Sequence, residues 1–403
     1  MIYEQLTPSK ALESYCDWLL TKQTQDEHGT FFYINSATNR RSKEWYMIFY
    51  PLRTLLLAGK LLNRPDYTDA VWKYFDNYVG EQLPNGAFSS NYRCQPTETL
   101  SKKDIQNLLR NGKLNLADNG TNTHALLQAA MMCDDPVRKE RYLQAVGHWL
   151  DDWVSIWALP SGAYGNGIWG GHKLNGPYTI ALNACTSMAA YTLATGERIH
   201  IENAENFIRF QATKWLEDGR PIRMNCYPVP EENSIIEDFS RIFYVLESMC
   251  WIHYASDNEE VRSLIEEKLK LWIFGPCGIL QQFPAHAKWF QQTNKPLPEG
   301  YISSRSQVRP MWEYAKCCAI PSLFSYYLNH IEDNAELREC YEKAIQFLSN
   351  PLQAITVGVA GDPDAPMGYF TVQATGFAGL SLAEAVCPDS TFSCIGDPSK
   401  ILL

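Results

Sequence analysis

Gln82-Leu83-Pro84-Asn85-Gly86-Ala87-Phe88 reads Q-x-x-x-G-x-F, and Gln25-Asp26-Glu27-His28-Gly29-Thr30-Phe31 reads the same way. Leu159-Pro160-Ser161-Gly162-Ala163-Tyr164 repeats the second half of the pattern. Weaker echoes follow at Glu217-Asp218-Gly219, Pro276-Cys277-Gly278-Ile279-Leu280 and Pro366-Met367-Gly368-Tyr369-Phe370. The glycines are spaced by 57, 76, 57, 59 and 90 residues. A basic period of 57 residues is too long for one helix and too short for a domain. It suits a helical hairpin plus a loop, repeated. Six such units make a closed ring, so the expected fold is all-α: an (α/α)6 toroid, residues 1–403 forming a single domain.

Hydrophobic periodicity supports this reading, because it is helical nearly throughout. One set of helix candidates carries Lys, Glu and Arg on one side: about residues 8–22, 66–80, 136–156, 201–216, 258–273 and 334–349. The other set is apolar and rich in small residues: about 44–62, 120–132, 177–195, 236–255, 307–329 and 371–386. The first set is expected outside and the second in an inner ring, where pairs such as Ala189-Ala190 and Ala378-Gly379 let backbones approach. Gly196 is expected to cap a helix C-terminus. The long connections are 88–117, 160–176, 219–235 and 278–306. Connections beyond about 12–15 residues in a compact fold are usually functional or disordered.

A formal charge of −10 argues against a nucleic-acid partner. Aromatic residues make up 13% of the chain, with 12 Trp and 22 Tyr, which suits a concave pocket for flat ligands or sugar faces as well as bulky helix packing. No basic-then-apolar leader opens the sequence and no apolar run approaches the ~18 residues of a membrane helix, so a cytoplasmic location and no membrane span are expected. The 12 Cys are scattered, mostly in apolar helical stretches, as buried thiols would be. Neither C-x-x-C nor H-x-x-x-H occurs, so no metal is expected. The sequon Asn119-Gly120-Thr121 is expected to be without consequence. Gly165-Asn166-Gly167-Ile168-Trp169-Gly170 matches G-x-G-x-x-G, but no preceding strand supports a dinucleotide site.

In a helical ring, the N-termini of the inner helices converge at one end of the cavity, where loop walls and helix dipoles meet. Those positions hold Glu44 and Trp45; Asp118, Asn119, Asn122 and His124; Asn175 and Tyr178; Glu237, Asp238 and Arg241; Arg305, Arg309, Trp312 and Glu313; and Gln373. Carboxylates, amides, arginines and aromatics form a kit for binding and cleaving an acidic sugar. Asp118 is the first candidate acid, against the reading of a plain helix cap. Asp238 follows Glu237, and such a pair either splits its pKa values or caps a helix. Arg305 and Arg309 present one basic face or serve inter-helix ion pairs. His124 and His172 assist proton transfer or are structural. Trp169 and Trp312 are sugar platforms or core.

Asp118-Asn119-x-x-Asn122-x-x-x-Leu126-Leu127 resembles the D-N-x-x-N…L stretch of unsaturated glucuronyl hydrolases, in the six-hairpin glycosidase superfamily. Cys133-Asp134-Asp135-Pro136, Ser161-Gly162-Ala163-Tyr164 and the run from Thr195-Gly196-Glu197 to Glu217-Asp218-Gly219-Arg220-Pro221 are similar in order, so the resemblance covers roughly residues 110–255 with gaps. It implies that Asp118 protonates the double bond of a 4,5-unsaturated uronic acid, that water then adds, and that no cofactor takes part. The family's second acidic residue, in an H-D-x-G-like stretch, has Glu44 as its one candidate here, within Arg41-Ser42-Lys43-Glu44-Trp45. The family's tryptophan-arginine-glycine stretch is replaced by Leu174-Asn175-Gly176-Pro177-Tyr178.

The Q-x-x-x-G-x-[FW] repeat also resembles terpene-cyclase-like toroids, such as squalene cyclases, in which aromatics stabilise carbocations; the D-x-D-D motif of that chemistry is absent. A third reading is a catalytically silent toroid that only binds. Its ligand in that reading is a peptide or glycan held in the cavity; in the first two readings the partner expected is a small molecule, a sugar or an isoprenoid, with the oligomeric state left open.

Overall fold

The computed structural model describes residues 5–26, 29–35, 40–41, 44–93, 95–224, 234–235, 239–280, 318–350 and 372–393. Its helices are α1 (Pro8–Thr21), α2 (Tyr46–Leu61), α3 (Pro65–Asp69), α4 (Trp72–Gly80), α5 (Lys102–Asn111), α6 (Leu116–Met132), α7 (Pro136–His148), α8 (Leu182–Thr195), α9 (Ile199–Ala212), α10 (Phe239–Ala255), α11 (Glu259–Phe274), α12 (Ile320–His330), α13 (Ala335–Leu348), α14 (Val372–Val386) and α15 (Ser390–Ser393). Short strands join them: β1 (Gln23–Asp26), β2 (Gly29–Asn35), β3 (Arg40–Arg41), β4 (Lys113–Leu114), β5 (Gly167–Trp169), β6 (His172–Leu174), β7 (Ile222–Arg223) and β8 (Ser234–Ile235).

The apolar helices α2, α6, α8, α10, α12 and α14 touch in that order, and α14 packs back on α2, which closes the ring. Buried residues run almost without a break along α2, α6, α8 and α14, as expected of helices surrounded by other helices. The polar set forms the outer layer, with α1 against α14 and α2, α7 against α6 and α8, α9 against α8 and α10, and α13 against α12 and α14. Helices α1, α7, α11 and α13 of this layer start at side-chain caps. Thr7 accepts from Lys10 N ahead of Pro8, and Asp135 accepts from Val137 N ahead of Pro136. Small residues set the inner seams. At Gly120 an added Cβ would strike the Asn183 backbone of α8, and at Gly379 it would strike Thr54 of α2.

The repeated glycine motif has a mechanical role. Gly86, Gly162 and Gly219 have φ of +81°, +85° and +93°, a region that favours glycine. Each closes the same turn: Gly86 N donates to Leu83 O, Gly162 N to Leu159 O and Gly219 N to Leu216 O. Each also presses on the backbone of the next outer helix, since an added Cβ would lie 2.5 Å from His148 O, 3.0 Å from Asn206 O and 2.6 Å from Leu271 O respectively. Gln82 Nε2 joins its own turn to the neighbour, donating to Gly86 O at 2.9 Å and Ala145 O at 2.7 Å. Phe88 then stacks on Tyr78 with ring centroids 4.3 Å apart. The motif is thus the joint between successive hairpins. Gly29 departs from it by opening strand β2, Gly278 sits in a different turn on Gly275 O, and Gly368 lies outside the described residues.

Two expectations change in detail. The helix read over 66–80 is broken at Ala70-Val71, because its halves serve different neighbours: α3 packs on α2, while α4 meets α7. The connection 88–117 contains α5, capped by Ser101, with Ile105, Leu108 and Leu109 half-buried on one face. Gly196 ends α8 with φ +79°, as expected.

Down the ring axis the side chains form layers. One turn into the inner helices, Tyr50, Phe243 and Phe377 form an aromatic floor, with Tyr50 and Phe377 centroids 4.0 Å apart and Phe243 and Phe377 5.5 Å apart. A turn deeper, Arg53 of α2 reaches across the ring to Glu247 of α10 at 2.7 Å, both buried. Tyr50 Oη donates to the other Glu247 oxygen at 2.9 Å, and Arg53 Nε donates to Gln128 Oε1 at 2.5 Å. At the far end α15 plugs the axis. Glu384 accepts from Asp389 N at 2.9 Å, Thr391 N at 2.6 Å and the Thr391 hydroxyl. Gln128 Nε2 donates to Thr391 O at 2.6 Å.

Candidate active site

At the N-terminal end of the inner helices a narrow ladder of backbone crosses the wall. Trp45 N donates to Ser90 O, Ser90 N donates to Lys113 O, and Lys113 pairs with Trp169, which pairs with His172. The stretch that formally matched G-x-G-x-x-G therefore runs into the β5–β6 hairpin of this ladder. The ladder sets Glu44, Lys113, Trp169 and His172 in one row. Lys113 Nζ lies 2.6 Å from Glu44 Oε1 and 4.6 Å from the Trp169 ring centre. His172 is exposed beside a half-buried Trp169.

Asp118 lies in the first turn of α6, behind this row. It is not the helix cap. Asn115 fills that role, its Oδ1 accepting from Asp118 N at 2.7 Å. The same Asn115 amide donates Nδ2 to Asp118 Oδ2 at 2.8 Å and to Ser90 Oγ at 2.8 Å. One side chain thus holds Asp118 from two sides. The Asp118 carboxyl is half-buried, with protein packed behind it. Burial pushes its pKa up to about 6; the Asn115 hydrogen bond opposes this, the Glu44 charge adds to it, and Ser90 and Lys113 oppose it. A carboxyl in that range is available as an acid near neutral pH.

Tyrosines face the same end. Burial, with the charges of Asp118 and Glu44, holds the half-buried Tyr46 hydroxyl far above its ordinary pKa. Burial also raises Tyr244, with Asp118, Glu247 and Tyr178 adding to the shift. Both are neutral hydroxyl donors at any working pH. Tyr178 is buried at the entry to α8, with Arg223 Nη2 3.5 Å from its hydroxyl.

The structure therefore sets Glu44, Trp169 and His172 along one ladder with Asp118 behind it, and places Tyr178 at the entry to α8. It places Asn119, Asn122 and His124 elsewhere. Asn119 is fully buried behind the ring wall. Its Nδ2 donates to Phe88 O at 3.0 Å and Asn115 O at 2.9 Å, and its Oδ1 accepts from Tyr78 at 3.0 Å. That burial also removes it as a glycan acceptor in the folded chain. Asn122 donates to Asn119 at 3.3 Å from an equally buried position. His124 packs edge-on to Trp251 at 4.4 Å, two turns down the axis. Burial, with a contribution from Arg53, holds it well below the ordinary histidine pKa and so neutral. Asp238, Arg305, Arg309 and Trp312 lie outside the described residues.

Lys113, Tyr46, Tyr244 and Arg223 were not singled out from sequence. Lys113 sits just before the cap of an inner helix, and Tyr46 adjoins Glu44, so proximity to those starts was the available signal. Tyr244 lies one turn beyond the inspected start of α10. Arg223 had no signal, because nothing in the chain marks β7. Among the described residues no group of three or more His, Cys, Asp or Glu side chains could hold a metal ion, and no helix is long and apolar enough to cross a membrane.

No protein-family model matches the sequence, and no curated protein matches it either. Solved structures match its architecture along nearly the whole chain. A family 76 α-mannanase of Bacteroides thetaiotaomicron is 14% identical, with a TM-score of 0.57 over 94% of this chain and 97% of that one. An unsaturated glucuronyl hydrolase specific for heparin is 10% identical, with a TM-score of 0.58 over 93% and 95%. A sugar epimerase from a ruminal bacterium is 9% identical, with a TM-score of 0.62 over 93% and 98%. What the chain shares with these structures is the fold, a closed ring of helical hairpins.

Proposed function

We propose that this protein is a carbohydrate-active enzyme whose chemistry is carried by Asp118 at the N-terminal end of the inner helices. The observation that carries the reading is the Asp118 environment: a half-buried carboxyl, gripped twice by Asn115, beside the Glu44–Lys113 pair, with its pKa raised to about 6. The activities named for the three solved structures above support a sugar as substrate. We favour it over an isoprenoid because carboxylates, a cation and tyrosine hydroxyls line this end, and such groups bind sugar hydroxyls.

The finer reading is hydration of a 4,5-unsaturated uronic sugar, in keeping with the resemblance of the Asp118 stretch to unsaturated glucuronyl hydrolases. Asp118 as the free acid donates its proton to the double bond. Its carboxylate then takes a proton from the water that adds, so the residue ends as it began. Glu44, held by Lys113, keeps a second negative charge near Asp118 and favours its protonated form. Trp169, Tyr178 and His172 are proposed sugar contacts, with Asp238, Arg305, Arg309 and Trp312 as further candidates. The test is loss of the ultraviolet absorbance of the conjugated enol in a panel of unsaturated uronic disaccharides. Wild type consumes at least one, and Asp118→Asn consumes none; a wild-type protein inert to the whole panel overturns the hydration step.

A further inference from the structure

We infer that Asn115 is a positioning residue for the acid: its side-chain amide holds Asp118 by Oδ2 and leaves Oδ1 as the oxygen that gives up the proton. The inference rests on the acid role proposed above and adds the atom that carries the proton and the side chain that selects it.

Asn115 is fully buried between β4 and α6. The hydrogen bonds fix which way its amide points. The oxygen end must accept, because Oδ1 faces the backbone N–H of Asp118 at 2.7 Å. The nitrogen end then carries two hydrogens, and both are used. One goes to Ser90 Oγ at 2.8 Å and the other to Asp118 Oδ2 at 2.8 Å. Ser90 is anchored in turn. Its backbone meets Trp45 N and Lys113 O in the ladder, and its buried Oγ also accepts from Asn119 Nδ2 at 3.3 Å. The neighbouring N–H of the α6 first turn, Ala117 N, is taken by Asn166 Oδ1 at 2.9 Å. Two asparagine side chains thus cap this helix start, and the Asp118 carboxyl is spared that task.

These bonds make the two carboxyl oxygens different. An oxygen that faces an N–H donor serves best as the carbonyl oxygen of the neutral acid, since the hydroxyl oxygen is the weaker acceptor. Oδ2 is therefore the carbonyl oxygen and Oδ1 carries the hydrogen. When the proton leaves, the bond from Asn115 strengthens, because its acceptor is now ionised. Oδ1 then recovers a proton from the water that adds, so one oxygen gives and takes while the other stays held. Glu44 and Lys113 act on this carboxyl through charge from the ladder. Tyr46 of α2, Tyr78 of α4 and Tyr244 of α10 stay neutral beside it, their hydroxyls raised by burial. The start of α5 shows the same spacing with a hydroxyl in place of the amide: Ser101 Oγ accepts from Asp104 N at 3.2 Å and donates to Asp104 Oδ2 at 2.6 Å.

The test follows the carboxyl itself, by carbon-13 magnetic resonance of the full chain labelled at its aspartate carboxyls, from pH 4 to 9. The Asp118 signal is the one missing from Asp118→Asn. Asn, Asp and Ser cap helices about equally well, so a purely structural cap predicts one titration for all three at position 115. Asn115→Asp keeps a cap but turns the donor into a second carboxyl, and the last proton of that pair is expected to leave about one pH unit or more above the wild-type midpoint. Asn115→Ser keeps both cap and donor, as Ser101 does, and is expected to stay within about half a unit of wild type. In wild type the Asn115 side-chain amide hydrogens should shift through the Asp118 midpoint, and this signal carries the test alone if Asn115→Asp does not fold. An amide that ignores the Asp118 titration, an unmoved midpoint in Asn115→Asp, or an equal shift in both variants overturns the role of Asn115. The pH limb of enol loss should move with the Asn115→Asp midpoint. A limb that stays put while the midpoint moves counts against Asp118 as the acid and takes this inference with it.

Discussion

Arg53→Met tests whether the toroid is braced across its axis. Arg53 and Glu247 are on opposite inner helices, with side chains 1% and 8% exposed and 2.7 Å apart. The substitution keeps an apolar stem of similar length but strands the Glu247 carboxylate with Tyr50 as its remaining donor, and leaves Gln128 Oε1 without Arg53 Nε. Removing one partner of a buried pair costs about 3–5 kcal/mol, because the other charge stays desolvated. Unfolding entropy is about 2.1 cal/mol/K per residue. For 403 residues that is roughly 0.85 kcal/mol/K, so the thermal midpoint should fall by roughly 4–6 °C. Arg53→Met with Glu247→Leu removes both charges, and the double variant should recover most of the loss. The assay is thermal and urea unfolding of the four proteins in the double-mutant cycle. A loss below about 1 kcal/mol for Arg53→Met, or additive losses in the double variant, refutes the bracing argument.

Two further predictions concern stability. Burial pushes the Glu384 pKa up to about 7 from an ordinary 4.5, so the folded chain holds that proton where the unfolded chain has released it. The stabilisation is complete below the unfolded value and is lost as pH rises through 7, by roughly 3 kcal/mol in total; urea unfolding of wild type and Glu384→Gln at pH 4.5 and 8 should show their stability gap change by about that amount, and a gap independent of pH contradicts it. Gly120→Ala drives a methyl into the Asn183 backbone at the α6–α8 seam and should destabilise by roughly 1–3 kcal/mol or more, read by the same unfolding curves; a neutral substitution would mean that the seam is not tight.

The ring was legible because its joints repeat. Glycines 86, 162 and 219 mark turns that must have positive φ and must touch the neighbouring helix, a constraint strong enough to show as a pattern. The alternation of polar and apolar helices followed from which set is surrounded by protein. The break at Ala70-Val71 and the helix α5 were not legible, since each depends on which neighbour a short segment meets. At the site, position along an inner helix pointed to Asp118 and Glu44 but could not give the direction of a side chain. Asn119, one residue beyond Asp118, turns into the wall, because one residue rotates a side chain by about 100° around the helix; Asn122, one turn deeper on nearly the same face, is buried and donates to Asn119. Lys113 and Arg223 escaped notice for a different reason: each sits in a two-residue strand, Lys113 pairing with Trp169 and Arg223 with Ser234, and so short a pairing leaves no periodicity to read.

The central claim is that Asp118 is the acid. Its most direct test follows enol absorbance in a turned-over unsaturated uronic disaccharide across pH 5 to 8, with wild type and Asp118→Asn side by side. The account predicts a wild-type rate that falls as pH rises through about 6, where Asp118 loses its proton, and a variant slower by roughly 10²–10⁴-fold without that transition. A variant as active as wild type, or one that keeps the same pH transition, would contradict it.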